Sequence, residues 1–336
     1  MRKIIFFIFC FPLFVSGQNG PYPFSNNGIQ REFYLNVPNN LEVNPALVFA
    51  FHGWGGNGNN FMNVSGFNDK SNQEGFIVCY PTGLVDNSGF TVWDTDGSSD
   101  INFITSLADS LIDLYQIDTS KIFATGFSYG AEMSYHLAEC QSEKYFDAIA
   151  PVGGGTWDYF TNGWSVPCTK SINLPVFILN GTNDNEFEYN GGFYPGVGYY
   201  LSVDSTVSIW TDFNSAVLYN SYNLIDDNND NNQTEVFKYQ NSNSENDVWL
   251  YKVNNGSHEW FDVAPWGSDD FSSTEEIWSF FSQVSSSTTD ISENKNNGKI
   301  LIKTINLLGQ SNSVYPNSIY FNIFDDGTVE KRIIIK

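Results

Sequence analysis

Basic side chains are scarce in this sequence. Lys and Arg together number 15 against 38 Asp and Glu, a formal net charge of −23, and residues 20–283 hold 7 basic residues against 33 acidic ones. So acidic a body repels nucleic acid and anionic membrane surfaces, which excludes both as partners. Histidine is scarcer still: His52, His136 and His258 are all there are. The four cysteines, Cys10, Cys79, Cys140 and Cys168, form no Cys-x-x-Cys pair, and no histidine cluster accompanies them. No metal site or cofactor is therefore expected. The apolar run Ile4–Val15 falls short of the roughly 20 residues that a membrane span needs. It follows Arg2 and Lys3 and precedes the small pair Ser16-Gly17, the layout of a secretory signal peptide cut near Gly17. Bulky Phe9 before Cys10 argues against a lipoprotein. Residues 1–17 are thus expected to be a signal peptide, with export and no membrane anchor in the mature protein.

Apolar and aromatic residues are plentiful, at 41% and 17% of 336. That suffices for a buried core and excludes wholesale disorder; the length suits one large domain or two modest ones. Export permits one disulfide among Cys79, Cys140 and Cys168. Cys79 lies in the apolar run GFIVCYP, a buried-strand pattern, which leaves Cys140 and Cys168 as the expected pair.

Continuous apolar runs at 46–51 (ALVFAF) and 75–81 (GFIVCYP) read as strands buried on both faces, as in a parallel sheet. Residues 101–116 place Ile101, Ile104, Leu107, Ala108, Leu111, Ile112 and Tyr115 at helical spacing. Strand KIFATGFS, helix AEMSYHLAEC, strands FDAIAPVGG and LPVFILNGT, helix STVSIWTDF, strand VWLYKV and helix STEEIWSFFSQV follow. The alternation predicts an α/β sandwich with a mostly parallel sheet over 18–284, whose reactive residues sit in loops at the carboxyl ends of strands. Polar residues 285–298 read as a linker, and 299–336 as a small all-β appendage of opposite charge with a turn at Asp326-Gly327. The acidic stretch 226–232 (DDNNDNN) lacks the glycine of a calcium loop and reads as solvated.

Gly126, Ser128 and Gly130 are spaced Gly-x-Ser-x-Gly between a strand and a helix, the setting of a nucleophile elbow. A serine hydroxyl needs a base, and the base needs a third group to orient it. His136 falls inside the following helix and reads as structural. His52 precedes the glycine loop Gly53–Gly56, which can aim backbone N–H groups at an oxyanion, and His52 is expected to brace that loop. His258, just after strand VWLYKV, is the expected base. The orienting acid belongs between Ser128 and His258 in the chain: Asp184 lies just past strand LPVFILNGT, with Glu186 and Glu188 as alternatives.

With these residues placed, the chain resembles the secreted esterases grouped with polyhydroxybutyrate depolymerases and feruloyl or acetylxylan esterases, the first carbohydrate esterase family. The matching stretches are FHGWGG at 51–56, GFIVCYPTG at 75–83, WDTDGSSDINF at 93–103, residues 115–140, FDAIAPVGG at 146–154, residues 174–192, NNGSHEWF at 254–261 and EEIWSFF at 275–281. The resemblance implies an α/β-hydrolase fold, Ser128 as nucleophile, Asp184 as acid partner, His258 as base, and the backbone N–H groups of Trp54 and Tyr129 as oxyanion hole. Two departures stand out: Asn180 replaces the histidine of the family's His-Gly-Thr, and Phe261 the proline of Gly-Gly-His-x-Trp-Pro, where Ser257 also replaces a glycine. The C-terminal pieces NLLGQ, IYFNIFDDG and VEKRIIIK resemble the type A sorting domain read by the type IX secretion machinery of Bacteroidetes.

The resemblance implies an ester-bearing polysaccharide or polyester as substrate. Export and an acidic surface favour a neutral polysaccharide carrying feruloyl or acetyl groups over a polyester granule. A hydrolase fold used only for carbohydrate binding is the competing reading, against which the full set of Ser, His and Asp at strand tips stands. Trp93, Trp157, Trp164, Trp260 and Trp266 lie in loops near the expected site, either stacking on substrate or anchoring loops. Trp93 and Trp260 are the named candidates for substrate contact.

Overall fold

The computed structural model describes residues 20–95, 98–140, 145–158, 173–194, 198–225, 231–243, 246–262, 270–289, 301–306, 318–324 and 329–334. The chain divides into two compact units, Met1–Thr288 and Thr289–Lys336.

The first unit begins with β1 (Tyr22–Asn26), β2 (Ile29–Asn36) and β3 (Leu47–Phe51), then α1 (Gly58–Val64), α2 (Phe67–Glu74) and β4 (Ile77–Pro81). A small ribbon, β5 (Leu84–Val85) and β6 (Thr91–Val92), leads to α3 (Ser99–Tyr115), β7 (Ile122–Phe127), α4 (Tyr129–Cys140), β8 (Ala148–Val152) and β9 (Val176–Gly181). A second ribbon, β10 (Gly192–Tyr194) and β11 (Gly198–Tyr200), precedes α5 (Val203–Asn214), β12 (Val217–Asn223), β13 (Gln233–Gln240), β14 (Val248–Asn254) and α6 (Ser273–Thr289).

Ten of these strands form one sheet in the order β1-β2-β4-β3-β7-β8-β9-β14-β13-β12. From β4 to β14 every neighbouring pair is parallel, while β1-β2 and β13-β12 are added antiparallel at the two edges. The predicted α/β class and mostly parallel sheet are therefore present. Of the edge strands that went unread, β12 is exposed along its whole length and carries no buried apolar signal.

Side-chain alternation sends each central strand into two cores. Leu47, Phe49 and Phe51 of β3 join Phe103, Ile104 and Leu107 of α3, Met133 and Leu137 of α4, and Val207 and Trp210 of α5. Val48 and Ala50 face the other way, toward Phe61 and Met62 of α1, Phe67 of α2, and Ile277, Phe280 and Phe281 of α6. Burying each such side chain contributes roughly 1.5–3 kcal/mol, so two apolar faces per strand favour a sheet clad by helices on both sides. Arg31 of β2 is clamped between a buried ion pair with Asp100 and the Phe103 ring, 4.1 Å below its guanidinium, and so pins the sheet edge to α3. Helix α6 runs to Thr289, so the polar residues 285–289 expected to open a linker continue the helix.

The second unit contains β15 (Leu301–Asn306), β16 (Ser318–Phe324) and β17 (Val329–Ile334), antiparallel in that order. This is the small all-β appendage expected from the alternation. The turn expected at Asp326-Gly327, residues 226–230 of the acidic loop, Trp164, Trp266, Cys168 and the N-terminal segment 1–19 lie outside the described residues.

Candidate active site

Ser128 stands where β7 passes into α4, with φ +56°, the left-handed region that side chains rarely adopt. The turn is that sharp because strand and helix nearly touch: a Cβ on Gly126 would lie 2.4 Å from the Gly130 carbonyl oxygen, and one on Gly130 2.1 Å from that of Phe51. Glycine is the residue that fits both places. The Ser128 N–H donates to Val152 O at 2.9 Å and its carbonyl accepts the Ala131 N–H at 2.8 Å, fixing the elbow to β8 and to the first turn of α4.

The carboxyl ends of β9 and β14 supply two further groups. These strands are parallel neighbours, and the loops beyond them are joined by Thr182 N–H to Val253 O, Asn183 N–H to Gly256 O, and Asn255 N–H to Thr182 Oγ1, all 2.9 Å. That stitching brings together residues far apart in the chain. His258 Nδ1 lies 2.8 Å from Asp184 Oδ2, and His258 Nε2 lies 2.9 Å from Ser128 Oγ. Asp184 is 4% exposed, and its other oxygen, Oδ1, accepts the N–H groups of Glu186 and Phe187, each at 2.8 Å. Oδ2 is thereby aimed at the imidazole, whose ring packs against Phe127 and Phe187. Of the three candidate acids, Asp184 is the one in contact with His258.

His52 does something different. Buried at the end of β3, it donates from Nδ1 to Gly53 O at 2.7 Å and accepts the Gly83 N–H at Nε2, 3.0 Å away. Both contacts need the neutral ring with its proton on Nδ1. Burial lowers its pKa from 6.5 to about 4, only partly opposed by the Gly53 carbonyl. The loop it braces is tied further by Gly56 N–H to Gly53 O (3.1 Å) and Gly55 N–H to Thr91 O (2.8 Å). Trp54, on this loop, makes no backbone N–H hydrogen bond among the described residues. Tyr129 opens α4, where backbone N–H groups point outward and favour negative charge.

Above Ser128 lies a cleft of about 230 Å³ lined by Trp54, Asp86, Val92, Tyr129, Glu132, Trp157, Phe187 and Tyr194. Its walls are largely aromatic. The exposed Trp54 ring stacks on Phe90 with centroids 4.0 Å apart, and Phe187 lies parallel to Tyr194 at 6.0 Å.

No family model matches the chain. A stretch of 196 residues is 32% identical to acetylxylan esterase A of Aspergillus awamori, covering 55% of this chain and 64% of that protein. Another of 184 residues is 32% identical to a probable feruloyl esterase C of Aspergillus clavatus, covering 52% and 63%. A bifunctional acetylxylan esterase/xylanase of Neocallimastix patriciarum is 29% identical over 162 residues, 48% of this chain and 22% of that one. The chain spans less than two thirds of the length of these curated relatives. Among solved structures, an acetyl xylan esterase from Aspergillus awamori superposes with a TM-score of 0.53 at 19% identity, over 75% of this chain and 94% of that one. The fold is an α/β-hydrolase.

Within this fold two expectations need correction. Trp93 is not a substrate contact: 1% exposed, it meets the Phe51 ring edge to face, packs against the His52 ring and donates its indole N–H to His52 O at 2.8 Å. It serves the brace. Trp260 donates to Ser65 O at 3.1 Å, sets its ring edge against Phe61, and does not line the cleft; it anchors the His258 loop. Of the three loop tryptophans among the described residues, Trp157 does line it. Asn180 is buried and donates to Gly154 O at 3.2 Å, a structural bond inside the sheet end. His136 is buried in α4 as a structural residue. Cys79 is free and buried, its thiol pushed up in pKa by desolvation. The residues that the sequence reading missed are Glu132, Phe187, Tyr194 and the side chain of Trp54. Glu132 alone carried a local signal, lying four residues after Ser128 and hence on the same helix face.

Proposed function

We propose that this protein is a secreted serine esterase that hydrolyses feruloyl or acetyl esters on polysaccharide. The observation that carries the reading is the hydrogen-bonded chain Asp184 Oδ2, His258, Ser128 Oγ at the base of an aromatic cleft. The similarity to acetylxylan and feruloyl esterases supports the substrate class.

In this mechanism His258 Nε2 takes the proton of Ser128 Oγ as that oxygen attacks the ester carbonyl. Asp184 accepts the hydrogen bond from the His258 Nδ1–H and stabilises the imidazolium. The carbonyl oxygen, now an oxyanion, is received by the N–H groups of Trp54 and Tyr129. Collapse of the tetrahedral species breaks the C–O bond to the alcohol, which leaves with the proton from His258. Water, deprotonated by His258, then attacks the acyl-Ser128, and the acid is released with Ser128 reprotonated. The signal peptide, the Cys140 to Cys168 disulfide and the sorting role of 299–336 belong to the same reading: an exported protein delivered through the type IX machinery.

The test is hydrolysis of p-nitrophenyl acetate together with labelling by a fluorophosphonate. The folded protein should turn over the ester and take the label at Ser128, and Ser128→Ala should lose both. A Ser128→Ala variant that hydrolyses the ester at the parent rate overturns the assignment.

A further inference from the structure

Glu132 stands one helical turn beyond Ser128 on α4 and lines the cleft beside it. Such a position is unusual for a carboxyl, since the side chain is 2% exposed. One oxygen, Oε2, accepts the indole N–H of Trp157 at 2.8 Å. The other, Oε1, is buried and has no hydrogen-bond partner among the described residues. Buried polar atoms are nearly always paired, so an orphan one turn from a nucleophile needs a function. Burial raises the pKa well above the ordinary carboxyl value, which the Trp157 bond opposes only in part. The neutral acid is favoured, and it donates as well as accepts.

The surroundings narrow what Oε1 can meet. Trp54, Trp157, Phe187 and Tyr194 give the cleft flat aromatic walls suited to stacking on a planar ring. A cleft of about 230 Å³ has room beyond an acetyl group. Resting on the esterase reading, we propose that Glu132 determines specificity by hydrogen-bonding, through Oε1, an oxygen substituent on an aromatic acyl group held in the cleft. The terminal torsion of glutamate is soft, so a modest turn of the carboxyl presents Oε1 to the cleft without moving α4. Behind Glu132 a second cavity of about 10 Å³ is also lined by Thr156, whose Oγ1 is likewise unpartnered among the described residues. It has room for roughly one water, the competing partner for Oε1.

The test compares methyl ferulate with methyl cinnamate, esters of one alcohol that differ in the ring oxygens. Purified full-length protein, Glu132→Gln and Glu132→Leu are each assayed for kcat/KM on both. The parent should favour ferulate. Glu132→Leu should lower the ferulate-to-cinnamate ratio about tenfold, while Glu132→Gln, whose amide still donates, keeps most of it. A purely structural role would slow both esters alike and leave the ratio unmoved. A parent enzyme that does not favour ferulate overturns the proposal without recourse to any variant, and so does a ratio unchanged in Glu132→Leu, which assigns Oε1 to water in the small cavity. If the parent hydrolyses no ester, the esterase reading itself has failed. Quenching of tryptophan fluorescence by ferulic and cinnamic acids then tests Glu132 separately, and equal affinities of the parent for the two acids overturn its role.

Discussion

Acidification should unfold this protein partly through one residue that takes no part in the proposed chemistry. His52 is neutral in the fold because both ring nitrogens are committed, Nδ1 as donor to Gly53 O and Nε2 as acceptor from Gly83 N–H. Its pKa is about 4 in the folded protein against an ordinary 6.5. Above pH 6.5 the ring is neutral in both folded and unfolded chains, and His52 makes no pH-dependent difference. Between pH 6.5 and about 4 the unfolded chain binds a proton that the folded one refuses, so stability falls as pH falls. At about 1.4 kcal/mol per pH unit the loss reaches on the order of 3 kcal/mol near pH 4 and about 2 kcal/mol at pH 5. That is a large part of the 5–15 kcal/mol typical of a folded domain. Other groups titrate in the same range, so the measurement is a difference: urea unfolding followed by tryptophan fluorescence at pH 7, 6, 5 and 4.5 for the parent and for His52→Asn. The variant starts less stable, because the Gly53 carbonyl and Gly83 N–H lose a partner at about 1–3 kcal/mol each. Its further loss on acidification should be smaller than the parent's by the amounts above. Parallel decline of the two proteins from pH 7 to 4.5 would refute a neutral, bonded His52.

Two other outcomes follow from the elbow and the triad geometry. Asp184→Asn keeps the size of the side chain but no longer holds the imidazole in the required tautomer; kcat on p-nitrophenyl acetate should fall about 10⁴-fold, and a fall of less than tenfold would remove Asp184 from the mechanism. Gly130→Ala places a Cβ 2.1 Å from the Phe51 carbonyl, a backbone atom of β3, so strand and helix must separate at a cost of about 3 kcal/mol or more. A lowered Tm with loss of activity is expected, and an unchanged Tm would show that the elbow is looser than it looks.

Much of the scaffold was legible because parallel strands buried on both faces read as unbroken apolar runs, as in Leu47–Phe51 and Ile77–Pro81, and because α3 repeats its apolar residues at helical spacing. Ser128 was legible for a local reason: a strand, a glycine-flanked serine and a helix occupy one continuous stretch. Asp184 and His258 were found by their places after strands, which the chain order states. The roles of the tryptophans were not legible. Trp93, Trp157 and Trp260 look alike as loop residues, yet one braces His52, one lines the cleft and one anchors a loop.

The sequence by itself determined the alternation of the central strands and helices, the elbow and the candidate reactive side chains, since each depends on neighbours within a few residues. Only the tertiary structure decided that Asp184 rather than Glu186 or Glu188 meets His258, that Trp93 is core, and that Glu132 is buried with one oxygen unpaired. Distances and burial there arise from β9 lying beside β14 and from α4 packing under Trp157, contacts between segments that no local pattern joins.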